Sequence, residues 1–169
     1  KAIFFFSEHE KKYEFIWFIE DDVFFHNEST LLNIDNKYGY CDLLTKEWSK
    51  NYKYDKNNKV WDYVKIKGIP EPHYLVEIAC CRLSKNFMEL IRKYVQNNKT
   101  MSCLEAFFPT ICIHYNFNLK EIPELNNVLY RFNFGNKHLN KFKIYHPVKN
   151  HKKHILFRNY ILNKSKLNK

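Results

Sequence analysis

Three consecutive carboxylates, Glu20, Asp21 and Asp22, interrupt the apolar stretch FIWFIEDDVFF, which resumes at once with Val23, Phe24 and Phe25. Adjacent negative charges repel: a pair about 4 Å apart costs about 1 kcal/mol in bulk water and about 4 kcal/mol at the effective dielectric of a protein surface. Hard divalent cations relieve that repulsion, because they take carboxylate oxygens and keep positions open for water and phosphate oxygens. Along an extended chain side chains alternate, so Glu20 and Asp22 point to one side and Asp21 to the other, and the three acids are not all expected to be ligands. The plain alternative is a solvated acidic turn after a buried strand. A chain with a formal net charge of +10 that holds its acidic knot between FIWFI and VFF favours the cation.

The elements that position these acids are read from periodicity. Residues 2–12, apolar and then charged, are expected to form a helix end. Tyr13–Ile19 is a short, nearly continuous apolar run ended by charge, the pattern of a strand covered on both faces as in parallel sheets. Ligands of open α/β sheets bind at strand carboxyl ends, where the triplet falls. Ser29 is the expected N-cap of one short helical turn, and a further apolar piece surrounds Cys41–Leu44. Thr45–Pro72 reads as a long polar surface excursion carrying Trp48 and Trp61. His73–Leu83 reads as a strand. Ser84 then caps a helix whose apolar positions Phe87, Met88, Leu90, Ile91, Tyr94 and Val95 keep helical spacing until QNNK stops it. A second helix contains SCLEAFFPTICIHY, with Pro109 kinking it or marking where its regular part begins. FNLKEIP is a short strand, KFKIYHPVK an extended basic segment, and the chain from Asn150 frayed or partly helical. This order predicts an α/β architecture, with residues 1–150 as a single domain and 151–169 as a basic tail.

Bulk composition bounds the partners. With 169 residues, 45% hydrophobic and 18% aromatic, the chain is long enough for one domain with a substantial core. The positive charge favours anionic partners: nucleic acid, phosphorylated small molecules or a membrane surface. Five cysteines without CxxC spacing point to no metal cluster, and Cys80–Cys81, inside LVEIACCRL, read as small buried hydrophobes. No segment reaches the roughly 18 to 20 apolar residues of a membrane helix.

FIWFIEDDVFF resembles the acidic motif, written DxD or EDD, of GT-A-fold glycosyltransferases. In that family the motif ends a strand and binds the ribose and diphosphate of a sugar nucleotide, directly or through Mn²⁺ or Mg²⁺. The resemblance spans residues 13–149, through DLL, RLSKNFMELI, LEAFFPTIC and IYHPVK, and its specific part is WFIEDDV. It implies a GT-A-like mixed sheet flanked by helices. Because the family places a nucleotide-binding half before the motif, it also implies that this is the C-terminal, motif-bearing portion.

By that resemblance Asp22, with Glu20 or Asp21, binds metal and nucleotide, and the cation offsets charge on the departing diphosphate. Glu105 matches the acid that serves inverting members as general base toward the acceptor hydroxyl; Ser102 and Glu105 equally have the S-x-x-E spacing of a capping box. His146 matches a late histidine that completes the metal site, and Lys149 would meet the diphosphate as a compact positive charge. Arg82 suits either a ligand carboxylate or phosphate, or a structural salt bridge. Trp48 and Trp61 could stack on the C–H faces of an acceptor sugar or anchor their loop. The expected function is sugar transfer from a nucleotide sugar to a glycan, protein or lipid hydroxyl. The competing readings are a basic nucleic-acid-binding protein without catalysis, for which no recognition signature is present, a metal-dependent nuclease, and a non-catalytic relative with the same fold.

Overall fold

Alternation places Phe15, Trp17 and Ile19 on one side of the first strand and Ile16 and Phe18 on the other, so a strand here needs cover on both faces. The computed structural model describes residues 12–47 and 64–167. Strand β1 is Phe15–Ile19, β2 Leu43–Thr45, β3 Cys80–Ser84 and β4 Leu119–Glu121, in the sheet order β1-β3-β2-β4. β3 is antiparallel to both β1 and β2, and β2 is parallel to β4, so the sheet is mixed. The parallel environment expected for β1 is not what forms. It is an edge strand, half-buried along its length, and its pairing is antiparallel.

Four α-helices are present among the described residues: α1 Glu28–Tyr38, α2 Lys85–Asn98, α3 Leu104–His114 and α4 His151–Leu167. Helices α2 and α3 cover one face of the sheet, where Ile91, Phe107 and Phe108 meet Leu43, Cys81 and Leu83. Helix α1 covers the other, where Ile34 and Tyr38 pack with Leu44 and Cys80. The architecture is therefore α/β. Two short strands, β5 Asn127–Val128 and β6 Tyr145–His146, form a second, parallel pair beyond the main sheet.

The ends of α2 follow their local chemistry. Ser84 Oγ accepts the Phe87 N–H at 3.1 Å, and Lys99 terminates the helix at φ 58° with its N–H on the Val95 carbonyl. Elsewhere tertiary packing overrides local expectation. The cap of α1 is Asn27, not Ser29, whose hydroxyl instead donates to Asn27 Oδ1 at 2.6 Å. The helix runs three turns rather than one because Thr30, Ile34 and Tyr38 recur every fourth residue and all bury. The strand expected from His73 forms only at Cys80–Ser84. Val64, Ile66 and Ile69, expected on a surface excursion, are buried in the core beside α2. Residues 151–167 are one continuous helix whose Phe157 and Ile161 pack with Phe24 and Tyr145. Residues 1–11 and 48–63, including Trp48 and Trp61, lie outside the described residues.

Candidate metal and acid–base site

The acidic triplet is the place where the chain leaves the sheet. Glu20 N–H extends the β1–β3 ladder by one bond, to the Ala79 carbonyl at 2.9 Å, and its own carbonyl accepts the Val23 N–H at 3.1 Å, closing a four-residue turn. Asp21 and Asp22 occupy the centre of that turn, as short polar residues commonly do. Beyond it, Phe24 exchanges both backbone hydrogen bonds with Tyr145 at 2.8 Å, and the Val148 N–H bonds the Asp22 carbonyl at 2.7 Å. Val23 and Phe24 enter two different core clusters, so the apolar residues on either side clamp the turn. The apolar run resumes because the chain passes from one core to the next.

The same pairing delivers His146. Tyr145 and His146 are neighbours on an extended strand and point opposite ways: Tyr145 enters the core, and the imidazole faces the acids. His146 is only 7% exposed. Its Nδ1 lies 2.8 Å from the Leu129 carbonyl, which can only accept, so Nδ1 carries the hydrogen and Nε2 is the atom presented to the acids. Nε2 is 3.2 Å from Asp22 Oδ1 and 3.5 Å from Glu20 Oε2. One ligand atom from each of the three residues lies within 4.8 Å of the others.

These residues could hold a divalent cation. An octahedral ion with bonds of about 2.1 Å sets adjacent ligands about 3.0 Å apart and opposite ones about 4.2 Å apart. A backbone carbonyl that fixes the distal imidazole nitrogen is the usual second layer of such sites, since it sets the tautomer and orients the ring.

Other groups surround this cluster. Glu77, half-buried on the segment before β3, has its pKa raised, first by burial; Glu105 and Glu20 push the same way, while His146 and Lys46 oppose. Lys46, just after β2, has its pKa lowered by burial and supported by Glu77. A proline places Glu77 near Glu105. Pro109 in α3 lacks an N–H, which leaves the carbonyl four residues earlier, that of Glu105, without a helical partner. The Val76 N–H takes it at 2.9 Å. The Ser102–Glu105 capping box does not form: Cys103 is the N-cap without a side-chain cap bond, and Ser102 Oγ is buried without a partner. The exposed Glu105 side chain therefore has no capping role.

Of the residues singled out from sequence, Glu20, Asp22 and His146 come together. Asp21 is exposed on the turn and outside that group. Lys149 is exposed and lines a cavity of about 350 Å³ together with Arg131 and Lys153, which no member of the group lines. Arg82 is fully buried, with its guanidinium bonded to Asp35 and the Tyr38 carbonyl. Glu77 and Lys46 were not anticipated; the signal for Glu77 was a lone acid inside the apolar LVEIACC. Compared with known proteins, the chain matches no family model and no curated protein.

The raised pKa of Glu77 fixes the sign of its effect on stability. A carboxyl whose folded pKa lies above its unfolded value favours folding in the protonated form. That contribution is complete below the ordinary carboxyl range and is lost as pH rises through the folded value. Glu77→Gln mimics the protonated acid permanently. With chelator present, it is expected to melt higher than the parent at about pH 8, the two curves converging near about pH 4. A thermal-shift series across that range checks it; a variant that melts lower at both ends refutes the assignment.

Proposed function

We propose that this chain carries the metal-binding and acid–base centre of a GT-A-like transferase, which moves a sugar from a nucleotide-sugar donor to a hydroxyl acceptor. The observation that carries this reading is the convergence of Glu20, Asp22 and the oriented His146 at the carboxyl end of β1. Glu20, Asp22 and His146 would hold Mn²⁺ or Mg²⁺. When bound, such a cation acts as a Lewis acid that offsets negative charge on a leaving diphosphate. Glu105, exposed in the first turn of α3, would take the proton from the acceptor hydroxyl. Glu77, half-buried and with its pKa raised by burial, would add less negative charge beside the acids than a free carboxylate.

Two measurements test this. Calorimetry with uridine and guanosine diphosphates, with and without Mn²⁺, is expected to give nucleotide binding that needs the metal. Nucleoside diphosphate release from a panel of nucleotide sugars is expected to fall at least about 100-fold in Glu105→Gln, while nucleotide affinity stays within about two-fold. Unchanged release in Glu105→Gln removes that residue from the mechanism, and absence of metal-linked nucleotide binding removes the transferase.

A further inference from the structure

The charge of the chain is segregated. Residues 125–169 contain 11 Lys and Arg and no Asp or Glu, which leaves residues 1–124 with a net charge of −1. Almost the whole positive excess thus sits on the loops around β5 and β6 and on helix α4.

Helix α4 is also apolar on the wrong side. Its inward face packs Phe157 and Ile161 against Phe24, and a helix with one face on a core is expected to be polar on the other. Instead Ile155, Leu156 and Leu162 stand 61%, 62% and 47% exposed. At 100° per residue these three fall within one outward arc that also carries Lys152 and Lys166. Tyr130, 71% exposed, and Phe132 stand on the neighbouring loop, which shares the cavity of Arg131, Lys149 and Lys153 with the base of α4. Lysines flanking exposed aliphatic residues suit a boundary where apolar side chains enter an acyl layer and ammonium groups stay among phosphates.

We propose that this surface, residues 130–134 with the outward face of α4, docks on an anionic lipid bilayer. No helix of the described residues is long and apolar enough to cross a membrane, and the proposed contact is made by the side chains of this face. Besides Arg131, Lys149 and Lys153 at one cavity, cations continue along α4 at Lys152 and Lys166, which fits an extended negative plane. A second copy of the chain fits worse, since it would present the same acid-free surface. RNA would stack on Tyr130 and Phe132 but gains nothing from Ile155, Leu156 and Leu162.

Sedimentation of the full chain with phosphatidylcholine vesicles, with and without about 30% phosphatidylserine, tests it. Binding is expected only to the anionic vesicles, falling with salt and by about five-fold for each of Lys152→Gln and Lys166→Gln. Leu156→Ser with Leu162→Ser keeps every charge and should lower partitioning about ten-fold or more while the fold is kept, with a drop in melting temperature of at most a few degrees from the lower helix propensity of serine. Three results overturn the proposal: no preference for anionic vesicles, partitioning unaffected by the double serine variant, or self-association that is lost in that variant while vesicles are ignored. Salt-sensitive binding of single-stranded RNA without vesicle binding assigns the surface to nucleic acid and overturns it as well.

Discussion

Asp22→Asn is expected to weaken Mn²⁺ binding at least about 100-fold, more than the loss of an outer-layer partner costs at a metal site. The variant keeps the size of the side chain and the Asp22 carbonyl that accepts the Val148 N–H, so the turn and the neighbouring β6 segment stay in place. It changes one ligand oxygen to a poorer donor and removes one of two negative charges beside His146. Stability separates the two readings of the cluster. If Asp22 and His146 form only a structural ion pair, the metal-free variant melts lower. If the acids are held close for a cation, losing one relieves repulsion with Glu20, and the metal-free variant melts at or above the parent. Calorimetry with Mn²⁺ and a thermal melt in chelator read both effects; unchanged affinity with a lowered melting temperature ends the case for a metal site.

Arg82→Met is expected to remove about 2–4 kcal/mol of folding stability, since hydrogen bonds from a charged donor contribute about 1.5–3 kcal/mol each and the partly exposed Asp35 can be solvated. Arg82 is 0% exposed on the central strand β3. Its Nη1 meets Asp35 Oδ1 at 3.1 Å, and its Nη2 donates to the carbonyls of Tyr38 at 2.6 Å and Cys41 at 2.9 Å. These carbonyls close the C-terminal end of α1, where a cation also meets the negative end of the helix dipole. The guanidinium further stacks on Phe15 at 4.1 Å, and Asp35 is held from the other side by Trp17 Nε1 at 3.1 Å. Methionine fills the volume and satisfies none of these groups. Lysine restores the charge without the fork, so Arg82→Lys should fall between the two. Since domains of this size are stable by only about 5–15 kcal/mol, the methionine variant is expected to unfold at markedly lower urea. A loss below about 1 kcal/mol contradicts the network.

Much of the scaffold was legible because its causes are local. The apolar run before Glu20 fixes a strand, the charge that follows stops it, and Ser84 three residues before Phe87 marks a helix start. Glu20 and Asp22 come together without Asp21, but the cause is the four-residue turn closed by the Val23 N–H on the Glu20 carbonyl and not the strand alternation expected from sequence. What failed also failed for physical reasons. Whether β1 paired in parallel or antiparallel depended on β3, which lies far along the chain, and the S-x-x-E pattern at Ser102 was overridden when the helix began one residue later.

The order of residues determined on its own that acids would crowd at a strand end, that α2 would start at Ser84, and that the positive charge would collect after Glu124. Only the folded chain decided that His146 faces Asp22, that Arg82 closes α1, and that Glu77 lies near Glu105. These latter facts rest on backbone bonds between distant segments, such as Phe24 with Tyr145 and Val76 with the carbonyl freed by Pro109. Such bonds depend on which strands meet and in what register, and nearest-neighbour chemistry carries no record of that.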